Sequence, residues 1–170
     1  MKQFKLGLYF CLLIHAPLSV AQGCNPNMNA DAPDSRYTVN ANGTVVDKKT
    51  ALTWMRCALG QAWNNNSCTG SAQPYNWQNA LQAAGITVFS GKSDWRLPNI
   101  KELQSLVESR CYDPAINLTA FPNATSDSFW SSSPVANDSN YARLVYFSFG
   151  YGSWYFKDNG SYVRLVRSGQ

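Results

Sequence analysis

The chain has 170 residues, with 14 Lys and Arg against 10 Asp and Glu, 45% apolar side chains and five cysteines. Its single histidine, His15, falls in an N-terminal stretch that reads as an export signal, so the mature chain would have neither Ser-His-Asp nor Cys-His catalysis, nor a His-ligated metal. Removing Lys2 and Lys5 with that stretch leaves 12 basic against 10 acidic residues, a balance from which no nucleic-acid partner is read.

Lys2 and Lys5 precede the apolar run 6–14, and Ser19-Val20-Ala21 supplies the small residues of a cleavage site. The run is short for the roughly 30 Å of a bilayer core, so residues 1–21 read as a signal peptide and not as an anchor. No other long apolar run follows, and no transmembrane segment is expected in the mature chain. The destination is periplasm, cell surface or exterior. Residues 22–35, polar and with two prolines, form an extended lead-in, and 36–170 form one domain.

In chain order, 36–39 and 44–46 read as short strands joined by a tight turn at Asn42-Gly43. Asp47 opens the next turn as an acceptor of backbone amides, and 52–56 is a third strand with Leu52 and Trp54 on one face. A cysteine-flanked polar loop, Asn64-Asn65-Asn66-Ser67, follows. Asn76 then caps a helix from Trp77 to about Ala84, which Gly85 ends. The centre of the chain is Ser93-Asp94-Trp95-Arg96-Leu97-Pro98-Asn99-Ile100-Lys101-Glu102-Leu103. It alternates as a strand, is held extended by Pro98, and turns into a helix at an Asn99/Glu102 capping box. That helix is expected to reach about Ser109. Arg96 is expected to pair with a carboxylate near the helix start, such as Asp94. An irregular segment from Cys111 to Pro134 leads into a β-meander of 141–147, 153–157 and 162–167. The fold class is α+β with two helices, short and mostly antiparallel strands, and the first and last strands adjacent.

Cys11 leaves with the signal. Four cysteines in an exported chain imply two disulfides. Cys57 and Cys68 are close in sequence and are paired; Cys24 and Cys111 pair by elimination. A metal site would need closer ligand pairs, and Gln22 is a poor lipobox residue for lipidation of Cys24. Asp113, Asp127, Asp138 and Asp158 lie in loops that could offer calcium carboxylates, though in no EF-hand spacing; solvated loops are the ordinary reading, and no cofactor is expected.

From Tyr141 to Tyr162 the chain is too rich in aromatics to bury them all on one side of a sheet. With Trp154 and Phe156 inward, Tyr155 and Lys157 face outward. Arg143, Tyr151, Trp154, Tyr155, Lys157 and Arg164 are the candidate ligand-binding residues. Rings beside cations suit the apolar faces and the acidic groups of a polysaccharide.

Gly43-Thr44-Val45, Asp47, Thr50, Leu52, Trp54, Trp77, the Asp94–Leu103 block, Phe121-Pro122, Phe129-Trp130-Ser131-Ser132 and Val163-Arg164-Leu165-Val166-Arg167 together resemble the DUF1566 or Lcl C-terminal domain family. The resemblance spans about 36–168. It implies a C-type-lectin-like fold of the variety shared with formylglycine-generating enzymes, and a role in adhesion through sulfated polysaccharide. A non-enzymatic binding module for such a surface ligand is therefore expected. A self-associating pilus or filament subunit, or an oxidase related to the formylglycine-generating enzymes, are the alternatives.

Overall fold

A computed structural model describes residues 21–169. All but the last residue of the expected export signal lie outside this part of the chain. The segment after it is anchored at once. Strand β1 (Gly23–Cys24) pairs antiparallel with β7 (Cys111–Tyr112), and the Cys24–Cys111 disulfide crosses that pair. A 3-10 turn (Asp34–Arg36) then feeds a sheet of β2 (Tyr37–Val39), β3 (Thr44–Asp47) and β4 (Leu52–Met55). Gly43 sits at φ 82° in the β2–β3 turn, the left-handed conformation that Asn-Gly turns require.

The cysteine-flanked loop is itself a hairpin, β5 (Ala62–Asn64) with β6 (Ser67–Thr69). Asn65 and Asn66 turn it with positive φ, which asparagine tolerates better than most residues. The Cys57–Cys68 disulfide closes its base.

Helix α1 (Trp77–Ile86) starts at Asn76, whose side chain accepts from the Asn79 amide. It runs through Gly85 instead of ending there and stops at Thr87, whose hydroxyl donates to the Ala83 carbonyl at 2.7 Å. Helix α2 (Ile100–Gln104) has the expected capping box: the Asn99 side chain accepts from the Glu102 amide at 2.9 Å, and Glu102 accepts from the Asn99 amide at 2.7 Å. It is shorter than its apolar spacing suggests. The Leu106 and Val107 amides bond three residues back, to Leu103 and Gln104, so the chain tightens out of the α-helix. The Glu102 carboxylate also takes both terminal nitrogens of Arg96, at 2.8 and 2.7 Å. Asp94 instead pairs with Arg167 at 2.8 Å. Arg96 thus has the expected carboxylate partner near the helix start, but it is Glu102 and not Asp94.

A second sheet has the order β10–β9–β8, from β8 (Ser128–Val135), β9 (Asp138–Tyr146) and β10 (Tyr151–Phe156). β8 occupies residues expected to be irregular: its Ser-Pro-rich end reads as loop, and its pairing with β9 is interrupted by register shifts after Trp130. The last strand, β11 (Val166–Ser168), leaves this meander and joins the first sheet, in the order β11–β4–β3–β2. First and last strands of the domain therefore share a sheet but are not neighbours. The architecture is α+β, with mostly antiparallel open sheets.

The β8–β9 ladder divides the core. Phe129 and Val145, directly paired, point into one cluster with Trp54, Leu103 and Phe121. Trp130 and Leu144, the next pair, point into the other with Trp95, Leu97 and Leu165. Period-two alternation carries adjacent residues to opposite faces. Each such large side chain removed from water contributes about 2 to 3 kcal/mol. Trp95 and Leu97, buried in the second cluster, anchor the central stretch, while α2 continues into the first through Leu103.

Candidate functional site: the outer hairpin

The β9–β10 hairpin is the aromatic-rich part of the sequence, and it forms one edge of its sheet. Its turn, 147–150, closes with the Gly150 amide donating to the Tyr146 carbonyl at 2.8 Å. Gly150 has φ 75°, and a Cβ there would press on the Val107 side chain, so the tip fits only with glycine. The ladder is then unbroken over six pairs, from Tyr151↔Tyr146 to Phe156↔Tyr141.

Direct partners lie on the same face of a sheet, so the register sorts the candidates. On the outer face Trp154 stands opposite Arg143, and Phe156 opposite Tyr141, with the last two rings 4.2 Å apart. Trp154 is 60% exposed and Phe156 48%. Both were expected to face inward. β10 is an edge strand, and its cover on this face by the described residues is at its start, where a Cβ on Gly152 would collide with the Gln104 side chain of α2. Beyond that point Arg143, Trp154, Tyr141 and Phe156 form a surface of one cation beside three aromatic rings.

The other face carries Tyr151 and Tyr155. Tyr151 packs on Tyr146 at 5.2 Å and Tyr155 on the buried Trp130 at 6.4 Å. Burial, then the neighbouring Tyr151, Tyr155 and Asp127, push the Tyr146 hydroxyl up from its ordinary value. Lys157 follows on the same side. Its ammonium sits 4.4 Å over the Trp77 ring and donates to the Ser139 carbonyl at 2.6 Å. With Asn76, Gln78, Leu81 and Asp158 these two line a hollow of about 310 Å³.

Arg164 is not on this surface. It is 1% exposed, in the core, with its guanidinium 4.7 Å from the Phe121 ring and 5.5 Å from Phe129. It donates to the carbonyls of Met55, at 3.1 Å, and Arg56. Burial pulls its pKa down to about 9, so it is still a cation at neutral pH. Val163 and Leu165 flank it in alternation, the pattern of a strand with Arg164 on its open face; the face it turns to is instead covered by Phe121 and Phe129, a matter of tertiary packing.

The six candidates therefore separate. Arg143 and Trp154 come together outside, Tyr151, Tyr155 and Lys157 lie on the opposite face, and Arg164 is a core residue. Tyr141 and Phe156 belong to the outer surface and were not among the six. Their signal was available: Phe156 shares the parity of Trp154, and a short turn sets Tyr141 across from it.

The acidic loop residues are not gathered. Asp113 accepts from the Ser126 hydroxyl at 2.7 Å, Asp127 from the Ser128 amide at 2.6 Å and Asp138 from the Asn140 amide at 2.9 Å. Among the described residues no group of three His, Cys, Asp or Glu side chains is placed to hold a metal ion, and no helix is long and apolar enough to cross a membrane.

The family model of the Lcl C-terminal domain matches residues 43–167, which takes in both helices, the β8–β9–β10 sheet with its outer hairpin, and the first sheet apart from β2 and the end of β11. No curated protein matches the chain.

Proposed function

This chain belongs to the Lcl C-terminal domain family, and we propose that it is an exported, non-enzymatic binding module that holds an anionic, above all sulfated, polysaccharide on its outer hairpin face. The observation that carries the reading is the pairing of Arg143 with Trp154 on an exposed edge, with the stacked Tyr141 and Phe156 beside them. An indole or phenyl face offers apolar contact to a sugar ring. A guanidinium offers a two-pronged donor that matches a sulfate or carboxylate. The next pair on the same face, Phe156 and Tyr141, extends the aromatic surface beside that one cation.

The surroundings support it. Two disulfides suit an oxidising compartment. They also occupy all four described thiols, which leaves none for the reactive pair of an oxidase. A C-type-lectin-like arrangement, which the resemblance implies, and the adhesive role belong to the same proposal.

The test is retention on immobilised heparin compared with neutral dextran. Arg143→Ala and Trp154→Ala are each expected to weaken heparin binding by about tenfold, equivalent to roughly 1.4 kcal/mol, while Arg110→Ala, on another surface, leaves it unchanged. Equal retention of all three variants and the parent protein would refute the face.

A further inference from the structure

The edge of β10 carries a second message, which is about the backbone. The Lys157 amide donates to the Asn140 carbonyl, and these two residues continue the β9–β10 register. In an antiparallel ladder, residues bonded to the neighbour alternate with residues whose N–H and C=O point away. Lys157, Tyr155, Ser153 and Tyr151 are thus turned toward β9. Gly152, Trp154 and Phe156 present their amides outward, at an edge to which no other described strand is paired.

Exposed edges are usually blunted by proline, by charge or by a bulge. Tyr151-Gly152-Ser153-Trp154-Tyr155-Phe156 contains neither proline nor a charged residue, and its pairing with β9 has no register shift. The bulge of this sheet lies instead between β8 and β9.

The strand is also matched to its own reverse. About Ser153, Tyr151 answers Tyr155 and Gly152 answers Trp154. We propose that this edge is a homodimer interface, in which β10 pairs antiparallel with β10 of a second copy about a two-fold axis through Ser153. The two three-stranded sheets become one of six strands. Outward amides of Gly152 and Trp154 meet the same groups reversed. The parity of the pairs keeps like faces together: on one face Tyr155 packs against Tyr151 of the second copy, and on the other Trp154 stands beside the Gln104 side chain that covers Gly152 of the second copy. Isologous pairing of this kind closes on itself and stops at two copies.

Ser153 lies on the axis as a non-hydrogen-bonded pair, where Cα atoms stand about 4.5 Å apart, within the range of a disulfide. The purified protein, both native disulfides intact, is expected to sediment at twice the chain mass. Ser153→Cys is expected to form a covalent dimer on mild oxidation, and Ser139→Cys, exposed but off the axis, is not. Trp154→Lys, a charge on the edge, is expected to raise the dimer dissociation constant at least about tenfold. A monomeric parent protein, or a dimer that Ser153→Cys fails to lock, would overturn the interface. The pairing does not rest on polysaccharide binding: Arg143→Ala weakens heparin retention in the reading above but leaves the sedimenting mass unchanged.

Discussion

Arg36 and Asp47 form a buried two-pronged ion pair, Nε to Oδ1 at 2.7 Å and Nη2 to Oδ2 at 2.5 Å. It ties the 3-10 turn before β2 to the turn after β3. Asp47 also accepts from the Lys49 amide and the Thr50 hydroxyl, at 3.0 and 2.6 Å. Burial alone would raise its carboxyl; the bonds from Arg36, Thr50 and Lys49 outweigh that and hold it below the ordinary carboxylate range. Asp47→Asn strands a buried guanidinium and is expected to cost about 3 kcal/mol in urea unfolding at pH 7. Because the folded pKa is depressed, the stability that Asp47 contributes is present above about pH 4 and is lost as pH falls through the folded value. The difference between parent and variant should shrink accordingly in acid.

The bland turn reading of Asp47 was legible because an Asx acceptor is a local device. Its partner was not, since Arg36 is brought there by strand register. The capping box at Asn99 and Glu102 and both disulfides were legible for the same reason: they depend on spacing or on counting. Three things escaped. Ser131-Ser132-Ser133-Pro134 looks like a loop, but the Ser131 hydroxyl bonds the Arg143 carbonyl at 2.8 Å and the Ser132 amide bonds the Pro98 carbonyl at 2.7 Å, so tertiary partners hold it as strand. Val166 to Ser168 changes sheets, a matter of topology that alternation does not encode. Alternation does place Trp154 and Phe156 together, but it cannot say which face is covered. That is decided by α2, which ends at Gln104 and shields only Gly152.

Tyr37 should be stabilised by losing its hydroxyl. The oxygen is buried without a hydrogen-bond partner among the described residues, and burial pushes the phenol up to about 12. Removing an unsatisfied buried donor recovers its desolvation cost, so Tyr37→Phe is expected to gain about 1 kcal/mol in thermal or urea unfolding. The ring contact with Phe121, edge-on at 5.7 Å, is kept. With a raised folded pKa, the parent loses stability as pH rises from about 10 to about 12. The phenylalanine variant should lack that part of the alkaline decline.

Arg164 is held by shape as much as by charge. Its planar group lies near two phenyl rings and donates to the carbonyls of Met55 and Arg56. Lysine keeps the charge but offers no plane and is more strongly hydrated. Arg164→Lys is therefore expected to destabilise by about 2 kcal/mol, with heparin retention of the folded fraction unchanged. Loss of that retention at constant stability would return Arg164 to the binding surface.

The Cys24–Cys111 bridge spans 87 residues of sequence and is expected to contribute about 4 kcal/mol through the unfolded chain. It also keeps the lead-in where the Ala32 and Asp31 amides donate to the buried Glu108 carboxylate, at 3.0 and 3.2 Å. Cys24→Ser with Cys111→Ser should lower the unfolding midpoint and open residues 22–33 to protease before the rest of the domain. The β5–β6 hairpin, with its own bridge, should resist as before.

Trp154 offers an optical test of the outer face. Trp54 and Trp130 are fully buried and Trp95 nearly so, whereas Trp154 is the most exposed of the large aromatic residues apart from Phe149. Iodide should quench a fraction of the emission that disappears in Trp154→Phe. Heparin bound across Arg143 and Trp154 should protect that fraction, and protection should weaken as salt rises, because the cation's share of the contact is screened. Neutral dextran should protect little. Quenching that heparin leaves untouched at saturating concentration would place the polysaccharide elsewhere, with the Trp77–Lys157 hollow as the next surface to mutate.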